Sequence, residues 1–288
     1  MSSSKVLFKS LAVILFLIGL TGCASLQDAG NQEPLTVSSK DGSSIAYGVS
    51  GEGDTTIVFV HCWTCSNKLW QPQIEHFSKA HKVIWLDLAG HGSSQSNRTK
   101  YTMESFSEDV AAVVNKAGVD RVILVGHSMG GPVSVEAARR LGDKVVAIVG
   151  VDTFYTGFEY PTSEKEIEGF VAPFKTDFLG TSQGMVQSMF VEGVDPQIKA
   201  VVSGHFDGAN PEMGISAMYE IFRWSAANVP ATLDSYLGKL VNINGAPTGE
   251  EKVLHESVRL IPGVGHFVPQ VKPMAFNLEL EKVIAEYQ

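Results

Sequence analysis

The sequence predicts an α/β protein: a mostly parallel central sheet with helices on both faces and an inserted helical cap. Three observations carry this. Short apolar, β-branched runs alternate with stretches whose apolar residues recur at helical spacing, the pattern of a parallel sheet covered on both faces. Residues 121–141, RVILVGHSMGGPVSVEAARRL, lead a buried-type strand straight into a small-residue helix. From residue 156 to 228 the strand signal stops, and it resumes afterwards, so the helical stretch interrupts the sheet.

Composition agrees with one large domain carrying an insertion. The 288 residues are 44% hydrophobic and 18% charged, enough apolar side chain for a sizeable core. The formal net charge of −9, with no basic run, argues against a nucleic-acid partner.

Taken in order, residues 1–22 read as a targeting segment. Lys5 and Lys9 precede an apolar run, residues 11–20, too short for a typical transmembrane helix. Leu20-Thr21-Gly22-Cys23 then resembles a bacterial lipobox, in which the cysteine is acylated and the chain is cut just before it. An ordinary secretory signal is the alternative. The lipobox implies a membrane anchor at Cys23, and Ala24 in place of Asp favours the outer membrane, facing the periplasm. Residues 23–34 are polar and read as a tether. The expected core is 35–155 with 229–288, and the expected cap is 156–228.

Residues 35–39 and 44–50 straddle Asp41-Gly42 and read as a hairpin. A strand at 56–60 runs into His61-Cys62-Trp63-Thr64-Cys65, followed by a helix near 69–77. A strand at 82–87 precedes the loop DLAGHGSS. Thr102 is placed to cap a helix whose apolar residues include Phe106, Val110 and Val113, ended by Gly118. A strand at 144–151 ends in Asp152, strands at 239–244 and 257–261 follow the inserted stretch, and a helix covers 273–287.

The chemistry starts at Gly126-His127-Ser128-Met129-Gly130. G-x-S-x-G is weak alone but strong between a strand and a helix. The sharp turn strains the central residue, tolerates no side chains beside it, and holds Ser128 at a helix N-terminus as a nucleophile. A serine hydroxyl needs a base within hydrogen-bond reach. His266, in the glycine-rich loop GVGHF, is the candidate. His61 and His127 read as structural or pocket-lining. His76, His81, His91, His205 and His255 read as solvated or capping.

These motifs in this order resemble the α/β-hydrolase superfamily, and the resemblance spans nearly all of the chain from residue 35. Its capped serine esterases are the most similar members. It implies a Ser–His–acid triad, with one oxyanion N–H from Met129, after the nucleophile, and one from Trp63, two residues past His61. Serine at the nucleophile position argues against the dehalogenases and epoxide hydrolases of the fold, which use aspartate there. The implied reaction cleaves a small-molecule carboxylic ester with an apolar acyl or alcohol group through an acyl-enzyme. A lactonase, thioesterase or carbon–carbon hydrolase, or a small-ligand receptor with little turnover, is the alternative.

The acid is where this chain departs from the family. Most members hold an Asp after the strand that follows the cap; here the loop is NINGAPTGEE. Asp152, ending the strand before the cap, matches the position some members use, with Glu250 or Glu251, read as the start of a solvated helix, as the rival. Cys62 stands where relatives have Gly. Cys62 and Cys65 read as two packed thiols, with a disulfide bracing the oxyanion loop as the alternative. The Met and Phe residues of the insertion read chiefly as its own core, some facing the cleft above Ser128. No metal-ligand cluster and no phosphate-binding or dinucleotide glycine pattern appears, so no cofactor is expected.

Overall fold

The computed structural model describes residues 34–288 apart from 207, 230–232, 234, 237 and 250. The expected leader, the tether up to residue 33, Cys23 and Glu250 lie outside the described residues.

Eight strands form one sheet: β1 Leu35–Ser38, β2 Ser44–Ser50, β3 Thr56–Val60, β4 Lys82–Leu86, β5 Val122–His127, β6 Val145–Val151, β7 Leu240–Ala246 and β8 Val258–Pro262. Their order is β1-β2-β4-β3-β5-β6-β7-β8. The first two strands pair antiparallel as a hairpin and β2 pairs antiparallel with β4; β4 to β8 run parallel. Successive strand residues point to opposite faces. Hence Val58, Val60 and Leu124 join one apolar core, while Ile57, Phe59, Ile123 and Val125 join another.

Helices α1 Gln71–Phe77, α2 Met103–Lys116 and α3 Gly130–Leu141 alternate with the strands. Thr102 caps α2 through a reciprocal pair with Ser105, satisfying two of the N–H groups that a helix start leaves unpaired. Helices α2 and α3 cover the first core through residues such as Phe106, Val110 and Val133. The second face is covered by α1 and the last helix, numbered α9 below, through Ile74, Phe77, Phe276 and Leu280.

Between β6 and β7, which lie side by side, the described residues of the insertion include the helices α4 Glu164–Thr176, α5 Phe178–Ser188, α6 Pro196–Gly204 and α7 Pro211–Asn228. A single turn, α8 Val268–Val271, and α9 Pro273–Glu286 close the chain. The helix expected near residue 69 begins at Gln71, after a 3-10 turn over Asn67–Trp70. Among the described residues no helix starts near Glu251, which lies in a loop. Among the described residues no helix is long and apolar enough to cross a membrane.

Candidate active site

Ser128 sits between β5 and α3 with φ +54°, in the left-handed region that non-glycine residues rarely adopt. Its N–H donates to the Val151 carbonyl at 3.0 Å and its own carbonyl accepts the Gly131 N–H at 2.9 Å, which together hold the strained turn. The flanking glycine is a matter of space. A Cβ on Gly126 would come within 2.1 Å of the Gly130 carbonyl oxygen, inside any real contact.

Asp152 ends β6, also with positive φ (+45°), and its N–H donates to Ile243 O at 3.1 Å. Its carboxylate has two partners. Oδ2 accepts the His266 Nδ1–H at 2.6 Å, and Oδ1 accepts the Gly245 N–H at 2.9 Å. A Cβ at Gly245 would come within 2.5 Å of Gly265 O, so glycine there lets the loop carrying His266 lie against β7. The structure brings Asp152 and His266 together. It does not bring Glu251 there: that side chain accepts the Thr248 N–H at 2.8 Å, a bond that holds its carboxyl below the usual carboxylate range.

Two contacts that no sequence pattern announced fix the His266 backbone. The His266 N–H donates to Met189 O at 3.1 Å, tying it to the insertion. The His127 Nε2–H donates to His266 O at 2.9 Å, with the two rings 4.8 Å apart. Burial depresses the His127 pKa far below the ordinary imidazole value, which keeps this clamp neutral. Asn244 of β7 holds the loop after β6, its amide donating to Phe154 O at 2.8 Å.

The loops after β3 and β4 correct two expectations. Cys62 and Cys65 are joined by a disulfide rather than packed as thiols. His91 is neither solvated nor capping: it is 3% exposed and its ring lies 4.8 Å from that of His61, where burial lowers its pKa. His61 shares this buried site, donating from Nδ1 to Cys62 O at 2.8 Å and accepting the Leu88 N–H at Nε2 at 3.0 Å. That pins the loop from β3 to the loop from β4. Trp63 runs the other way. Its indole N–H donates to Gly214 O of α7 at 2.8 Å, and Phe174 meets its ring edge-on at 5.7 Å. The intervening Thr64 also has positive φ (+53°).

Ser128, Met129, Asp152, His266 and Trp63 all line one cavity of about 790 Å³. Phe170, Met185, Met189, Met218 and Phe222 of the insertion line it too, whereas Met213 and Trp224 are buried in the core. The arrangement can do specific chemistry. An imidazole whose Nδ1–H donates to a carboxylate is held in the tautomer that leaves Nε2 free to accept a proton. The start of α3 supplies backbone N–H groups with no partner inside the helix, suited to a developing negative charge. Among the described residues no group of three or more His, Cys, Asp or Glu side chains is arranged to hold a metal ion.

The family described as alpha/beta hydrolase fold matches residues 55–212. The chain is similar to a dihydrolipoyllysine-residue acetyltransferase component of an acetoin cleaving system from Cupriavidus necator, with 25% identity over 88% of this chain and 71% of that protein. It is 37% identical to a bifunctional esterase/perhydrolase of Acinetobacter calcoaceticus, over 39% of this chain and 42% of the relative. Among solved structures it is similar to Est816, an N-acyl homoserine lactone degrading enzyme, with TM-score 0.71 and 25% identity, covering 86% of this chain and 99% of the other.

Proposed function

This chain belongs to the alpha/beta hydrolase fold family, and on that premise we propose that it is a serine hydrolase cleaving a carboxylic ester with an apolar acyl or alcohol group. The observation that carries the proposal is the 2.6 Å hydrogen bond between Asp152 and His266 on the wall of the cavity that Ser128 also lines.

In the proposed reaction His266 Nε2 takes the Ser128 proton as the hydroxyl oxygen attacks the ester carbonyl. Asp152 stabilises the resulting imidazolium. The Met129 and Trp63 N–H groups receive the oxyanion. Collapse of the tetrahedral intermediate expels the alcohol, which takes its proton from His266. Water, activated by the same imidazole, then releases the acid from Ser128.

A panel of p-nitrophenyl esters with an active-site titrant tests this. An organophosphate should label Ser128 and stop turnover; labelling at another serine overturns the assignment. One equivalent of product followed by negligible turnover would instead indicate a small-ligand receptor. A lactonase is the second reading, supported by the likeness to the homoserine lactone enzyme. Lactones of graded acyl length in the same assay separate the two.

The proposal extends to location: a cell-envelope protein anchored through lipid on Cys23, resting on LTGC. Cys23→Ser should move it from the membrane fraction to the soluble one, because a lipid chain is the proposed anchor. A variant that still sediments with membranes contradicts the anchor.

A further inference from the structure

The inference concerns charge, and it rests on the hydrolase reading above. The cavity wall is largely apolar: Trp63, Met129, Phe170, Met185, Met218 and Phe222 contribute to it. Its ionisable groups are few and mostly engaged. Asp152 and His266 are bound to each other. The Tyr160 hydroxyl donates to Thr153 O, and burial raises its pKa, so it stays neutral. The Glu251 carboxylate is committed to the Thr248 N–H. Among the described residues that line the cavity, the one lysine is Lys252, which is exposed, and there is no arginine.

A substrate carboxylate or phosphate inside such a cavity would meet two carboxylates and no buried cation. It would lose its hydration without a partner. A neutral chain suffers no such loss and gains from each apolar group it buries. Flexible methionines also fit chains of varied shape better than rigid walls do. A cavity of about 790 Å³ is far larger than a short acyl group needs and lies in the range that encloses drug-sized ligands.

We propose that the site selects uncharged, medium- to long-chain acyl esters and rejects substrates whose acyl chain ends in an anion. The selection comes from the absence of a buried cationic partner along an apolar wall, not from a steric stop.

The test compares p-nitrophenyl octanoate with mono-p-nitrophenyl suberate, which share chain length and scissile bond and differ in a terminal carboxylate. We expect kcat/KM for the neutral ester to exceed that for the anionic one by at least roughly a hundredfold. From butyrate to octanoate it should rise by up to about fourfold per methylene. Comparable rates for the neutral and anionic esters overturn the proposal. Met185→Arg, which places a cation on the wall, should narrow the ratio by at least about tenfold; if it does not, charge is not the determinant. Should that variant fail to fold, the wild-type comparison still decides. Should neither ester turn over, the hydrolase reading fails, and calorimetry on Ser128→Ala judges this proposal separately. Methyl octanoate must then bind at least roughly a hundredfold tighter than monomethyl suberate, and equal affinity refutes the selection.

Discussion

The two ends of strands β5 and β6 differ in how the backbone is strained. At their amino ends the chain turns on Gly118 (φ +63°) and Gly142 (φ +58°), glycines that take positive φ without steric penalty. At their carboxyl ends positive φ falls on Ser128 (φ +54°) and Asp152 (φ +45°), where a side chain costs roughly 1–3 kcal/mol each. Thr64 and Tyr155, the other non-glycine residues with positive φ among those described, also lie in loops leaving strands at that end. Positive φ is therefore free at one end and strained at the other. The strained end opens onto the cavity, where open α/β sheets bind ligands.

If this contrast reflects function, changes at the two ends should separate activity from stability. The largest effect is expected at Ser128. Ser128→Gly should abolish ester turnover, on the order of 10⁶ in kcat, while raising stability by up to about 1 kcal/mol as the strain is relieved. Chemical denaturation checks the second half, and a clearly less stable variant would show that no strain resides there.

Asp152→Asn comes next. It keeps the shape but favours the wrong imidazole tautomer, so kcat should fall roughly 10³–10⁴-fold with little change in melting temperature. Glu251→Gln should cost less than about tenfold, since that carboxylate serves the Thr248 turn. If the Glu251 variant is the crippled one, the acid has been assigned to the wrong strand end.

The disulfide is an intermediate case. Replacing both Cys62 and Cys65 by Ala should lower kcat by about ten- to a hundredfold with KM nearly unchanged. On the proposed oxyanion role of the Trp63 N–H, that donor would be misplaced rather than removed, so less is lost than the 10²–10³ for deleting one oxyanion donor. A four-residue loop contributes only about 2 kcal/mol of cross-link stabilisation. A rise in KM with kcat intact would make the brace a binding element instead.

The smallest effect on turnover belongs to the amino end. A Cβ at Gly118 meets nothing within 4 Å, so Gly118→Ala bears only the backbone cost of its positive φ. It should lose about 1 kcal/mol of stability and keep kcat/KM within about twofold. A large loss of activity there would erase the contrast between the two ends.

The parts of this molecule that are legible in the sequence are those encoded by neighbours in the chain. Buried strands show as β-branched runs, α2 as a 3.6-residue period opened by Thr102, and the elbow as a serine flanked by glycines between strand and helix. Asp152 is legible through the resemblance, because some family members carry the acid at the end of this strand and the loop after the later strand here holds no Asp. What joins these elements was not legible. The clamp from His127 to His266 spans 139 residues, the indole of Trp63 reaches a carbonyl 151 residues away, and His91 is buried against His61 from a different loop. The Cys62–Cys65 bond is local, yet spacing alone leaves thiol and disulfide open; the geometry of the loop decides. A hydrogen bond or ring contact between distant residues leaves no periodic trace in either segment, because each partner is chosen by where the folded sheet and its insertion carry it.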